Sequence, residues 1–279
     1  MLPGKETMRR GEIMKVYVCP DEEQSWDTIW KWSWLTRELW ISEYWEETKR
    51  TLQPVLSLLA ELDVKFMLDC PCGLGFKTIL FARAGYKVEG ADASAIAIKH
   101  ARELAREHGL RIRFFRSRFE ELSEHYRRKY DCVYSDYFDE LEGRDILRAS
   151  AEGVHSVLRE GGKFVFCSPS PELTKSDLKQ LIEREWRGRR WIKIDPLIEK
   201  GDLKLAYIEV ASKTAEGIRE DRIYLIVERG VPRAEIASIM NPRIKWTFQD
   251  YAKVLEEVGF RKIDYVGEDE FKGLIVAMK

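Results

Sequence analysis

From residue 65 onward, short apolar runs alternate with stretches whose apolar positions recur at helical spacing. That order is expected of strands and crossover helices in a parallel sheet. The runs predict strands over 65–69, 87–92, 112–116, 131–135 and 162–168. Between the second and third, Ala97, Ala101, Leu104 and Ala105 form one helical stripe, and Gly109 is placed to end it in a left-handed cap. Further on, Thr247-Phe248-Gln249-Asp250 has the form of a capping box. Tyr251, Val254, Leu255 and Val258 follow on one face, with Gly259 as the stop. Two last runs, 262–266 and 274–278, bring the sheet to seven strands. The pattern predicts an α/β fold, mostly parallel, with helices on both faces of the sheet.

Two parts lie outside this alternation. In residues 24–50, Trp26, Trp30 and Trp34 stand four apart, and Trp40, Tyr44 and Trp45 follow in a second helical stretch. One reading is an amphipathic helix pair packed on the sheet. The other is a lid whose rings line a substrate pocket and hold a cationic group by cation–π attraction, with Trp30, Trp34 and Tyr44 as the candidates. Asp27, Glu38, Glu43, Glu46 and Glu47 outnumber the basic residues here, which argues against membrane attachment. Later, residues 203–210 and 222–227 alternate polar and apolar, as a half-buried antiparallel hairpin does. The expected organisation is a helical extension (1–62), a core (63–170), an insert or lid (171–245), and a closing helix with the last two core strands (246–279).

A chain of 279 residues can bury a large core. Its formal charge of −1, with 34% charged residues of both signs, selects neither nucleic acid nor an anionic membrane. No run of eighteen apolar residues occurs and the N-terminus lacks an apolar signal core. The five cysteines are odd in number, and Cys70, Cys72, Cys132 and Cys167 lie in or beside predicted strands. This suggests reduced thiols and a cytoplasmic protein. Cys70-Pro71-Cys72 has no second Cys/His pair at ligand spacing, and His100, His108, His125 and His155 form no ligand pair, so no metal is expected. Within 183–193, Arg184, Arg187, Arg189, Arg190 and Lys193 interleave with Trp186 and Trp191. This cluster is suited to gripping RNA, but the favoured reading is a solvated helix end anchored by its tryptophans.

The chemistry concentrates in residues 68–78, Leu-Asp-Cys-Pro-Cys-Gly-Leu-Gly-Phe-Lys-Thr, with Asp92 ending the next apolar run. Gly73 and Gly75 lack a Cβ, so the backbone can turn tightly and admit a ligand closely. An adenosine over that turn can place its ribose hydroxyls on Asp92. Geometry alone admits nicotinamide dinucleotides, flavins and S-adenosylmethionine, but the third glycine of a dinucleotide site is absent from Phe76-Lys77-Thr78. The Asp-x-x-Cys-Gly-x-Gly-x-x-Thr form resembles motif I of the class I S-adenosylmethionine-dependent methyltransferases. Residues 88–94, Val-Glu-Gly-Ala-Asp-Ala-Ser, resemble the family's second motif. Residues 130–137 resemble its fourth, and 157–165 its glycine turn into the fifth strand. The third motif departs from the family, with Arg118 where an acid normally stands. The resemblance spans 65–168 and 246–279, and the insert and closing helix are similar to the small-molecule, glycine N-methyltransferase-like group.

The resemblance implies a Rossmann-like sheet, S-adenosylmethionine as cofactor, and methyl transfer to a small-molecule acceptor. Asp69, Gly73 and Gly75 are then expected at the methionine end, with Cys72 and Thr78 beside them; Asp92, Ala93 and Ser94 at the ribose; Arg118 and Phe119 at adenine; and Ser135 at the end of the fourth strand. Asp136 and Tyr137 are the candidates for facing the transferred methyl and taking a proton. Their alternative roles are a helix cap and a ring packed beneath the lid. Three rival functions remain: an RNA methyltransferase, disfavoured because Ser135-Asp136-Tyr137-Phe138 lacks the prolines of amino-methylating enzymes; a cofactor-binding module without turnover; and a nicotinamide oxidoreductase. Homo-oligomerisation is left open.

Overall fold

The computed structural model describes residues 14–125, 130–269 and 272–279. The chain enters through β1 (Lys15–Val18), α1 (Glu22–Leu35) and α2 (Ile41–Glu61). The alternating region follows as β2 (Phe66–Asp69), α3 (Phe76–Arg83), β3 (Lys87–Asp92), α4 (Ala95–Glu107), β4 (Arg113–Arg116), α5 (Leu122–His125), β5 (Tyr130–Ser135), α6 (Arg144–Val157) and β6 (Leu158–Ser168). Next come α7 (Lys175–Gly188), four long strands β7 (Ile192–Lys200), β8 (Leu203–Lys213), β9 (Gly217–Glu228) and β10 (Val231–Arg243), then α8 (Phe248–Val258), β11 (Arg261–Asp269) and β12 (Lys272–Met278).

The seven expected core strands form one sheet in the order β11-β12-β6-β5-β2-β3-β4. The five strands from β6 to β4 pair in parallel, and β12 runs antiparallel to both neighbours. This is the α/β, mostly parallel architecture the hydrophobic pattern predicts. Its central strands are buried on both faces, so their apolar runs are nearly continuous. The stripe of α4 is buried as expected, and α8 carries both its capping box and a left-handed Gly259 cap. Strand β6 begins already at Leu158, ahead of the predicted 162.

The insert departs most from expectation. In place of one hairpin, β7–β10 form an antiparallel sheet, and β1 adds to it in parallel beside β10, giving the order β1-β10-β9-β8-β7. The N-terminal segment is therefore built into the insert. Helix α1 lies on one face of this sheet, where Ile29 and Trp32 are buried with Leu205, Tyr224, Ile226, Ala237 and Ile239. The Trp32 indole N–H donates to Glu235 Oε2 at 2.7 Å, fixing the helix to β10. The other side of α1 faces α4 and the turn at Gly73, so the helix lies between the antiparallel sheet and this part of the core.

The basic cluster of 183–193 is only half as expected. Trp186 packs against the small core of Ile182, Ala211 and Ile218, but Trp191 is 68% exposed and does not anchor the helix end. Among the described residues no helix is long and apolar enough to cross a membrane.

Candidate active site

Strand β2 ends on Asp69, and the chain then turns through Cys70–Gly75 into α3. Gly73 and Gly75 both adopt positive φ, +51° and +86°, a region that costs a residue with a Cβ about 1 kcal/mol or more. Gly75 caps α3, and a Cβ there would lie 3.0 Å from the Ala101 Cβ and 3.3 Å from the Phe114 ring. The turn is thus pressed onto α4 and β4. Beside it β3 ends on Asp92, whose Oδ2 accepts from the Gly73 N–H and Oδ1 from the Ser94 N–H, both at 2.8 Å. The expected acid and glycine turn are brought together, with the carboxylate bracing the backbone of both loops.

Asp69 and Asp92 are both buried. The Thr78 hydroxyl donates to Asp69 Oδ2 at 2.5 Å, while Asp69 Oδ1 has no hydrogen-bond partner. Burial pushes the Asp69 carboxyl up to about 7, against the opposing pull of Thr78 and the Lys77 charge. Burial likewise raises Asp92 to about 6, although the Ser94 and Gly73 N–H groups stabilise its charged form. An unpartnered buried carboxylate oxygen is expensive unless a ligand donor meets it.

Helix α1 covers this turn. The Trp30 ring lies 3.3 Å from where a Gly73 Cβ would stand. Ser94, which caps α4 by accepting from the Ala97 N–H, donates its hydroxyl to Asp27 of α1. Glu23 of α1 pairs with Arg118 and lies 3.7 Å from Arg116. Beyond these pairs a cleft of about 370 Å³ is lined by Ala93, Arg116, Arg118 and Glu121. Glu121 was not among the expected site residues; it stands one turn past Arg118 and accepts from the Arg118 N–H at 3.3 Å. An acid at that spacing is the only signal the sequence carried for it. Phe119 instead turns into the core, its ring 5.7 Å from Phe138 and only 6% exposed, so it presents little to the cleft.

The end of β5 supplies the opposite wall. Ser135 Oγ accepts from the Tyr137 and Phe138 N–H groups and so shapes the turn. Asp136 pairs with Lys77. Tyr137 packs beneath Trp26 of α1, whose indole N–H donates to its hydroxyl at 3.2 Å. Burial, followed by the Glu22 charge, pushes the Tyr137 phenol well above its ordinary range. That direction favours the neutral phenol. Nearby, Arg243 bridges Glu22 of α1 (Nη2 to Oε2, 2.8 Å) and the Glu140 carbonyl (2.6 Å), and burial raises the carboxyls of both acids. Trp34 lies elsewhere: it stacks on His100 of α4 at 4.4 Å, with the Arg37 guanidinium 4.0 Å from its ring. Tyr44, on α2, sets its edge against Phe76 at the start of α3.

Residues 67–162 match the family model described as a methyltransferase domain. No curated protein matches the chain. Many solved structures share its fold, and three of them follow. A S-adenosylmethionine-dependent methyltransferase from Clostridium acetobutylicum is 16% identical with a TM-score of 0.58, covering 80% of this chain and 88% of its own. A sugar N-methyltransferase from Streptoalloteichus sp. is 15% identical with a TM-score of 0.56, covering 81% and 85%. An amino pentose methyltransferase from Micromonospora echinaspora, solved with S-adenosylmethionine bound, is 18% identical with a TM-score of 0.54, covering 86% and 96%. At these identities the likeness is one of fold, and that fold is the class I methyltransferase fold. The residues around the turn fit the cofactor the motifs imply: a glycine turn open to close approach, a buried carboxylate oxygen without a donor, and a cleft next to Ala93 lined by two arginines and the single acid Glu121.

Proposed function

We propose that this chain, whose residues 67–162 are a methyltransferase domain of class I fold, transfers a methyl group from S-adenosylmethionine to a small-molecule acceptor held beneath helix α1. The observation that carries the proposal is the pair of buried acids, Asp69 and Asp92, flanking a turn whose two glycines both sit at positive φ. When bound, the cofactor supplies a methyl already activated on a sulfonium, so the protein's tasks are placement and exclusion of water. Asp69 offers its free oxygen to the cofactor's ammonium group, and Asp92 its remaining lone pairs to the ribose hydroxyls. Glu121 takes the place of the acid missing at Arg118 and accepts from the adenine amino group. Trp30 closes over Gly73 and keeps water from the reacting centre.

For the acceptor, an amine is the favoured class. Two of the structural neighbours are named for sugar nitrogen or amino pentose methylation. The acceptor must lose its proton before transfer, and Asp136 is the carboxylate positioned to take it, with neutral Tyr137 orienting the acceptor by hydrogen bonding.

Calorimetric titration with S-adenosylmethionine and S-adenosylhomocysteine, beside an Asp92→Ala variant, tests the cofactor site. Micromolar binding that collapses in the variant is expected, and absence of binding to both ligands would sink the proposal. Incubation with methyl-labelled cofactor and a panel of amines, amino sugars, alcohols and carboxylic acids tests the acceptor class. Label appearing only on oxygen acceptors would overturn the amine assignment.

A further inference from the structure

The proposed chemistry leaves one charge of the glycine turn unused, the ammonium of Lys77. This residue stands second in α3, next to Thr78, and pairs with Asp136 just beyond the end of β5. Strands β2 and β5 are neighbours in the sheet, so Asp69 at the end of one and Asp136 after the end of the other border the same crevice. In an open α/β sheet, ligands sit in the crevice outside the carboxyl ends of the strands. The Lys77 side chain is 24% exposed and that of Asp136 32%, whereas Asp69 is sealed at 1%. The pair is thus reachable from solvent, while Asp69 lies deeper.

Two hydrogen-bonding capacities are left over here, and they are opposite in sense. Asp69 Oδ1 is a buried acceptor with no donor. Lys77 Nζ carries three donors, and among the described residues its one ion pair is with Asp136. Charge points the same way. Lys77 is the cation that bears on Asp69, and it feels Asp69 and Asp139 in turn. Burial pulls its ammonium below the ordinary range, against the attraction of those acids, so a further anionic partner restores stability that desolvation removes. An acceptor short of a donor and an ammonium with donors to spare, at the same turn, complement an α-amino-acid zwitterion. Asp69 alone would satisfy half of such a group and leave its carboxylate desolvated beside two acids.

We infer that Lys77 binds the carboxylate of the cofactor's amino-acid end, an inference that rests on the S-adenosylmethionine reading above and adds a residue to it. Lys77 keeps Asp136 on one donor and turns the others to the carboxylate. Through that shared ammonium, the cofactor's amino-acid end and the acid facing the acceptor are held in one network. A ligand with the adenosine and the amine but no carboxylate loses this contact and keeps the rest. Such a ligand is also a net cation, which Lys77 repels.

Calorimetry of the full chain with S-adenosylhomocysteine and with its decarboxylated analogue, which keeps the adenosine, the thioether and the amine, tests this. The wild-type chain should prefer S-adenosylhomocysteine by at least about tenfold, the worth of one charge-assisted hydrogen bond. Lys77→Met should erase that preference by weakening S-adenosylhomocysteine at least about tenfold, while the analogue binds as well or better once the repelling charge is gone. Lys77→Gln, which leaves Asp136 a hydrogen-bond donor, carries the same test should the Met variant not fold. If neither folds, the wild-type preference alone decides. A wild-type chain that binds both ligands equally, or a variant that weakens both alike, overturns the inference and leaves the cofactor reading standing. A chain that binds neither ligand sinks that reading and the inference with it.

Discussion

If Asp69 and Asp92 hold the cofactor as proposed, its binding depends on pH in a direction set by their burial. Asp69 is raised to about 7 and Asp92 to about 6. Each is above its unfolded value of 3.8, so the ligand-free native state holds more protons than the unfolded chain between those values. Ligand-free stability contributed by these groups therefore falls as pH rises from about 4 to about 7. Binding runs the other way, because a cationic ammonium and hydrogen-bonding hydroxyls prefer the ionised carboxylates. Between pH ~5.5 and pH ~8 the ionised fraction of Asp69 rises from ~3% to ~90%, a gain of about 30-fold, and that of Asp92 rises about fourfold. Affinity for S-adenosylhomocysteine should accordingly increase by about 100-fold at most over that range. Below pH ~7, binding should release protons, detectable by calorimetry in buffers of different ionisation enthalpy. Asp69→Asn should bind more weakly at pH ~8 and lose most of the pH dependence. An affinity that is flat with pH, or an Asn variant that keeps the wild-type slope, would refute the assignment of Asp69 to the cofactor.

Other perturbations separate the parts of the site. Gly73→Ala places a Cβ at φ +51° and 3.3 Å from the Trp30 ring, and should cost about 1–2 kcal/mol in chemical denaturation while weakening cofactor binding. Glu121→Ala should lower affinity for S-adenosylhomocysteine and for 5′-methylthioadenosine alike by about tenfold, the worth of one charge-assisted hydrogen bond; if only the first weakens, Glu121 does not contact adenine. Trp32→Phe deletes the 2.7 Å hydrogen bond to Glu235 and should destabilise the chain by about 1–3 kcal/mol in chemical denaturation. The same change should speed amide exchange in α1, and unchanged exchange there would mean that this contact does not hold the helix.

The core was legible because local chemistry and global topology agree there. Parallel strands buried on both faces write themselves as apolar runs, and a turn that needs two positive φ angles needs two glycines. The antiparallel sheet was not legible in the same way. Strand β7 contains Pro196, and β10 contains Pro232 and Pro242, residues that ordinarily demote a run to loop. Both faces of β8 and β9 also carry apolar side chains, one set toward α1 and one away from it, which blurs the alternation that marks a half-buried strand. No window of sequence could show that β1 completes this sheet or that Trp32 bonds to Glu235, because each contact joins segments some two hundred residues apart. The tryptophan stripe of α1 illustrates the same limit. Its spacing fixed a helix with apolar sides, yet Trp26 and Trp30 face the candidate site, Trp32 faces the second sheet, and Trp34 faces α4. A helix packed against a sheet on one side and a helix and turn on the other needs apolar residues on more than one side. The density of tryptophan that reads locally as either core or pocket is what packing one helix at once against the antiparallel sheet, the glycine turn and α4 requires.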